Sequence, residues 1–123
     1  MNLGGNSFNN MTTSHEVYMD IVKIVEELHA AGVKKIFIAS IIERGHCPNF
    51  TGISSGSFNK MRNAVNRRLK EHFYGNEHAE FIQIGKRLSY SAHMEADLVH
   101  PGRDNNGMKI FQHCVRNCFK KCM

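Results

Sequence analysis

The chain has 123 residues, a net charge of +5 at pH 7, 41% hydrophobic residues and two prolines. That length suits one domain or part of one, and the composition is that of a folded chain rather than a disordered one. No apolar run approaches the ~20 residues a membrane-spanning helix needs. Met1 to Asn10 carries neither a basic n-region nor an apolar h-region, so the expectation is a soluble, cytoplasmic protein.

Met1-Asn2-Leu3 reads as the end of a strand, with Gly4-Gly5-Asn6-Ser7 at its tip. Thr13 with Glu16 makes a capping box. Val17, Ile21, Ile24, Val25 and Leu28 then recur at helical spacing until Gly32 closes the helix. Lys34 to Ile42 is a nearly unbroken apolar run rich in β-branched residues, the pattern of a strand covered on both faces of a parallel sheet. Glu43 to Gly56 reads as a loop. Ser57 is placed to cap a second helix, in which Met61, Val65, Leu69 and Phe73 repeat every four residues before Gly75 stops it. Ala79 to Ile84 alternates like a shorter strand with a less buried face. An irregular stretch from Gly85 to Ala96 leads to Asp97-Leu98-Val99-His100. The last segment, Gly107 to Cys122, sets Met108, Phe111, Val115, Cys118 and Cys122 on one side of a third helix.

Strand and helix therefore alternate in the order of an open α/β sheet. The sheet is short, with at most three strands. A domain starting at Met1 would expose an edge that belongs in the interior of a parallel sheet, so the pattern predicts the C-terminal part of a larger domain.

Three of the four cysteines, Cys114, Cys118 and Cys122, fall at four-residue spacing in one helix, which argues against a disulfide framework. His46, Cys47 and His113 add potential ligands, yet the paired C-x-x-C spacing of structural zinc sites is absent, and no metal site is expected. The basic residues Arg67, Arg68 and Lys70 could bind nucleic acid weakly, but no interleaved aromatics or RNP-like run accompanies them. Solvated faces of amphipathic helices are the simpler reading of this charge.

Asp97 and His100 lie three residues apart in a turn, so a carboxylate can orient an imidazole locally, as a general base requires. With Gly4-Gly5-Asn6 at the other end of the chain, this step resembles the last two functional blocks of the SGNH (GDSL-type) ester hydrolases. The third block of that family is Gly-x-Asn-Asp, and Gly4, Gly5 and Asn6 match it while Ser7 replaces the final Asp. The fifth is Asp-x-x-His followed by a polar loop, a glycine and the C-terminal helix. Asp97, His100, Gly107, Met108 and Phe111 look like that block.

The resemblance spans residues 1–123 and implies a flavodoxin-like three-layer α/β/α fold with a parallel sheet, incomplete on its N-terminal side. It implies ester hydrolysis without a metal or organic cofactor. His100 would act as base and acid, Asp97 as its orienter, and Asn6 as an oxyanion-hole donor with Gly5 beside it. The family's nucleophilic serine belongs to a Gly-Asp-Ser block upstream of both elements. No such block is in this chain, so the 123 residues are expected to be inactive alone. Some relatives of this fold are non-catalytic, and a module binding RNA or a protein partner is the alternative. Gly52-Ile53-Ser54-Ser55-Gly56 also fits the G-x-S-x-G nucleophile elbow by letter. An elbow needs a strand running into its serine, and a loop precedes Ser54, so a helix-entry role is preferred there.

Overall fold

The computed structural model describes residues 12–43 and 52–84, together with Lys109, Gln112, His113 and Arg116, which are helical and exposed. Helix α1, Ser14–Ala30, starts at the capping box. Thr13 Oγ1 accepts from the amide of Glu16 at 3.2 Å, and Glu16 Oε2 accepts from the amide of Thr13 at 3.4 Å. At the other end Gly32 adopts φ +100°, which a side chain would strain. The amides of Gly32 and Val33 then donate back to the carbonyls of His29 and Leu28, the paired bonds of a Schellman stop.

Strand β1, Ile36–Ala39, and strand β2, Ala79–Ile82, pair in parallel with Ile36 opposite Ala79 and Ala39 opposite Ile82. Helix α2, Ser55–His72, connects them. Both helices pack on one face of the sheet. Val17, Ile21, Val22 and Val25 from α1 meet Phe58, Val65 and Leu69 from α2 over Ile36, Ile38 and Ala79. Val65 and Leu69 are fully buried, so the four-residue repeat of α2 is the seam of this core. Ala39 and Ile84 form a second, smaller cluster with Ile42 and Ile82. The arrangement is α/β with a parallel pair and a helical connection, as the sequence predicts.

Three boundaries differ from the sequence reading. The apolar run 34–42 predicts a longer strand than β1, because burial continues past the ladder: Ser40 and Ile41 are buried although β1 ends at Ala39. Strand β2 likewise stops at Ile82 while Ile84 remains fully buried. Helix α2 begins at Ser55, and its cap lies three residues before the expected cap at Ser57. Ser54 is the N-cap, its side chain accepting from the amide of Ser57 at 3.1 Å, so Ser57 sits inside the first turn.

Candidate functional site

In open α/β sheets, ligands bind beyond the carboxyl ends of the strands, where the ladder runs out and backbone groups need other partners. At that rim the amide of Ser40 still donates to the carbonyl of Ile82 at 2.8 Å. The buried Ser40 hydroxyl accepts from the amide of Ile84 at 3.0 Å, tying the segments that leave β1 and β2 to each other. One residue further, Asn66 of α2 takes the place of a neighbouring strand. Its Oδ1 accepts from the amide of Ile41, and its Nδ2 donates to the carbonyl of the same residue, each at 2.9 Å.

Arg62, one turn earlier on α2, completes the rim. It donates through Nε to Asn59 Oδ1 at 3.0 Å and through Nη1 to the carbonyl of Ile41 at 3.3 Å, and it lies 3.8 Å from Glu43. Burial holds the Arg62 guanidinium below its ordinary value, and the Glu43 carboxylate works in the opposite direction. An arginine so placed stays protonated at neutral pH.

Beside this network, between the flank of α2 and β2, lies a cleft of about 420 Å³. Ser40 and Asn66 contribute to its lining, as do Arg62, Asn63, Arg67 and Lys70 on the helix side and Phe81 and Gln83 on the sheet side. Positions 62, 66 and 70 and positions 63 and 67 are helical neighbours at four-residue spacing, which is why they share one flank. Arg68 does not share it. That guanidinium stacks on Tyr18 at 4.1 Å from the ring centroid and bonds His15 Nδ1 at 2.7 Å, facing α1. The basic residues 67, 68 and 70, adjacent in sequence, thus divide between two surfaces.

Ser54 occupies no nucleophile elbow. Its hydroxyl caps α2, Gly52 and Ile53 just before it are not in a strand, and its Oγ lies 3.3 Å from Ser57 Oγ with no imidazole bonded to it among the described residues. Ser54 stands at the entry to α2, the role the sequence reading prefers for it.

Gly5, Asn6, Asp97 and His100 lie outside the described residues, as do His46, Cys47, Cys114, Cys118 and Cys122. Among the described residues no group of three His, Cys, Asp or Glu side chains could hold a metal ion. The nearest thing to a pair is His29 and His78, whose rings stack at 4.0 Å between centroids. Their planes are tilted by 31°.

Elements in this arrangement recur in solved proteins. A GDSL-like lipase from Bacteroides thetaiotaomicron matches with a TM-score of 0.74 at 15% identity, over 90% of this chain and 54% of that one. The fold is that of a GDSL-like lipase. A candidate acylhydrolase from Bacteroides fragilis matches with a TM-score of 0.67 at 18% identity, over 89% of this chain and 52% of that one. The chain spans about half the length of these structures. No family model matches the sequence, and no curated protein matches it either.

Within this GDSL-type fold, sequence reasoning missed the rim residues Ser40, Arg62 and Asn66. A polar residue inside an apolar run marks Ser40, and a polar pair four apart on a helix marks Arg62 and Asn66. Both are weak signals, because the partners lie 44 and 25 residues away.

Proposed function

We propose that the chain is the C-terminal part of a GDSL-type ester hydrolase domain whose nucleophilic serine is supplied from outside these 123 residues. The observation that carries this reading is the fold match over 90% of the chain to a GDSL-like lipase. The order of the sequence blocks, Gly4-Gly5-Asn6 first and Asp97-x-x-His100 last, supports it.

In this reading His100 takes the proton of the serine hydroxyl as that oxygen attacks the ester carbonyl. Asp97 fixes the tautomer and orientation of the ring. Asn6 donates to the oxyanion, and the glycine at position 5 lets backbone come close to the substrate. The alcohol leaves with the proton from His100. Water, deprotonated by the same ring, then releases the acid from the acyl-serine.

A missing nucleophile typically lowers turnover by about 10⁶, because serine, histidine and carboxylate act as a unit. The purified 123-residue chain is therefore expected to hydrolyse p-nitrophenyl acetate at the buffer rate. Adding a segment that carries a Gly-Asp-Ser block should restore hydrolysis, and His100→Ala should abolish it. Robust hydrolysis by the chain alone would overturn the proposal, as would a restored activity indifferent to His100→Ala.

A further inference from the structure

The cleft between α2 and β2 has more binding capacity than the rim network consumes. Its floor is already committed: Asn66 is used by the backbone of Ile41, and Ser40 by the amide of Ile84. Arg62 is held by Asn59, by the carbonyl of Ile41 and by Glu43, which balances its charge. The side chains of Asn63, Arg67, Lys70 and Gln83 line the same space without a partner among the described residues. Two cations with no ion pair among the described residues thus stand beside two amides, and Phe81, half-buried on the sheet side, offers an aromatic surface to the same cleft. A volume of about 420 Å³ falls in the range of small-molecule sites, roughly 300–1,000 Å³.

We propose that this cleft binds a small organic phosphate, its dianionic head on Arg67 and Lys70 and its apolar body against Phe81. The planar donor fork of arginine suits a phosphate oxygen pair, and the lysine adds a point charge. A polynucleotide track fits less well. Such a track needs cations in a continuous line, and Arg68, the next basic residue along the helix, is turned towards α1 on His15 and Tyr18. The site shares no residue with the proposed hydrolase set, so either reading can fail without the other.

The test is a chemical-shift titration of the full ¹⁵N-labelled chain with phenyl phosphate at low salt. Saturable binding is expected, with shifts centred on residues 63–70 and 81–83. Phenyl sulfate, a monoanion of similar shape, should bind several-fold more weakly. Arg67→Gln with Lys70→Gln should weaken phenyl phosphate about tenfold or more. Lys23→Gln with Lys34→Gln, which removes the same charge from exposed positions elsewhere, should change it less than twofold. All four side chains are exposed, so these variants should fold, and their amide spectra report it directly.

Absence of saturable binding would overturn the proposal. So would equal weakening by the two double variants, which is the signature of general attraction to a basic chain. A uridine oligonucleotide that binds far more tightly than phenyl phosphate, with Arg68→Gln costing as much as Arg67→Gln, would replace the small-ligand site with a nucleic-acid surface.

Discussion

Replacing Asn66 by alanine removes a side chain that stands in for a strand beyond the end of β1. Ile41 is 2% exposed, and its amide has Asn66 Oδ1 as partner at 2.9 Å, so the variant leaves a buried donor unpaired. The carbonyl of Ile41 fares better, because Arg62 Nη1 remains at 3.3 Å when Asn66 Nδ2 is lost. An orphaned buried donor costs about 1–3 kcal/mol, and the weakened carbonyl adds about 0.5–1.5 kcal/mol. Asn66 also lines the cleft, so water can reach part of the vacated space, which sets the expectation near 2 kcal/mol. Asn66→Asp keeps the acceptor for the amide and places its carboxylate near Arg62, and should lose about half as much. Urea unfolding followed by circular dichroism measures the totals, provided the m-value is unchanged. Hydrogen exchange at the Ile41 amide measures the local effect, with protection lost in Asn66→Ala and largely kept in Asn66→Asp. A stability loss below about 0.5 kcal/mol together with unchanged Ile41 protection would refute the idea that this side chain substitutes for a strand.

Two further outcomes test the local readings. Ser54→Ala should cost about 1 kcal/mol as a lost helix cap, and a fluorophosphonate probe should leave Ser54 unlabelled in the unmodified chain. Labelling there, detected by peptide mass spectrometry, would return that residue to the list of nucleophiles. Gly32→Ala meets no atom within 4 Å, so its cost should come from the positive φ of +100° alone, about 1–2 kcal/mol. A melting temperature equal to that of the parent would show that the helix stop does not need glycine.

The helices were legible because their signals are local. The Thr13–Glu16 box, the Gly32 stop and the repeat Val65, Leu69, Phe73 each depend on residues within a turn or two, and each appears where the sequence puts it. The strands were legible in kind but not in length. Apolar runs report burial, and at the rim Ser40, Ile41 and Ile84 are buried outside the ladder, held by side chains far away in sequence. The match of Gly52 to Gly56 to an elbow shows how little a short pattern carries: its three fixed letters agree, yet Ser54 caps α2, as the preferred helix-entry reading expects. In the cluster Arg67, Arg68, Lys70, successive helix positions are turned about 100° apart, so nearness in sequence does not place the charges on one surface. The candidate residues Gly5, Asn6, Asp97 and His100 lie outside the described residues, so their legibility rests on block order and on the fold they would belong to.

The described half of the fold bears on the proposed chemistry through the rim rather than through reacting groups. Catalytic geometry in an open α/β domain is only as well fixed as the strand ends that launch its loops. Here those ends are joined by the Ser40 hydroxyl, which holds the amide of Ile84 just before the segment that leads towards Asp97. They are braced by Asn66 and Arg62 on the carbonyl of Ile41. These bonds pair the amides of Ile41 and Ile84 and the carbonyl of Ile41 without recourse to solvent. In the proposed hydrolase, binding energy would therefore not be diverted into ordering these backbone groups. The same reasoning separates the two proposals. The hydrolase reading needs Asn6, Asp97 and His100, whereas the phosphate proposal draws on Arg67 and Lys70 of α2 and Phe81 of β2.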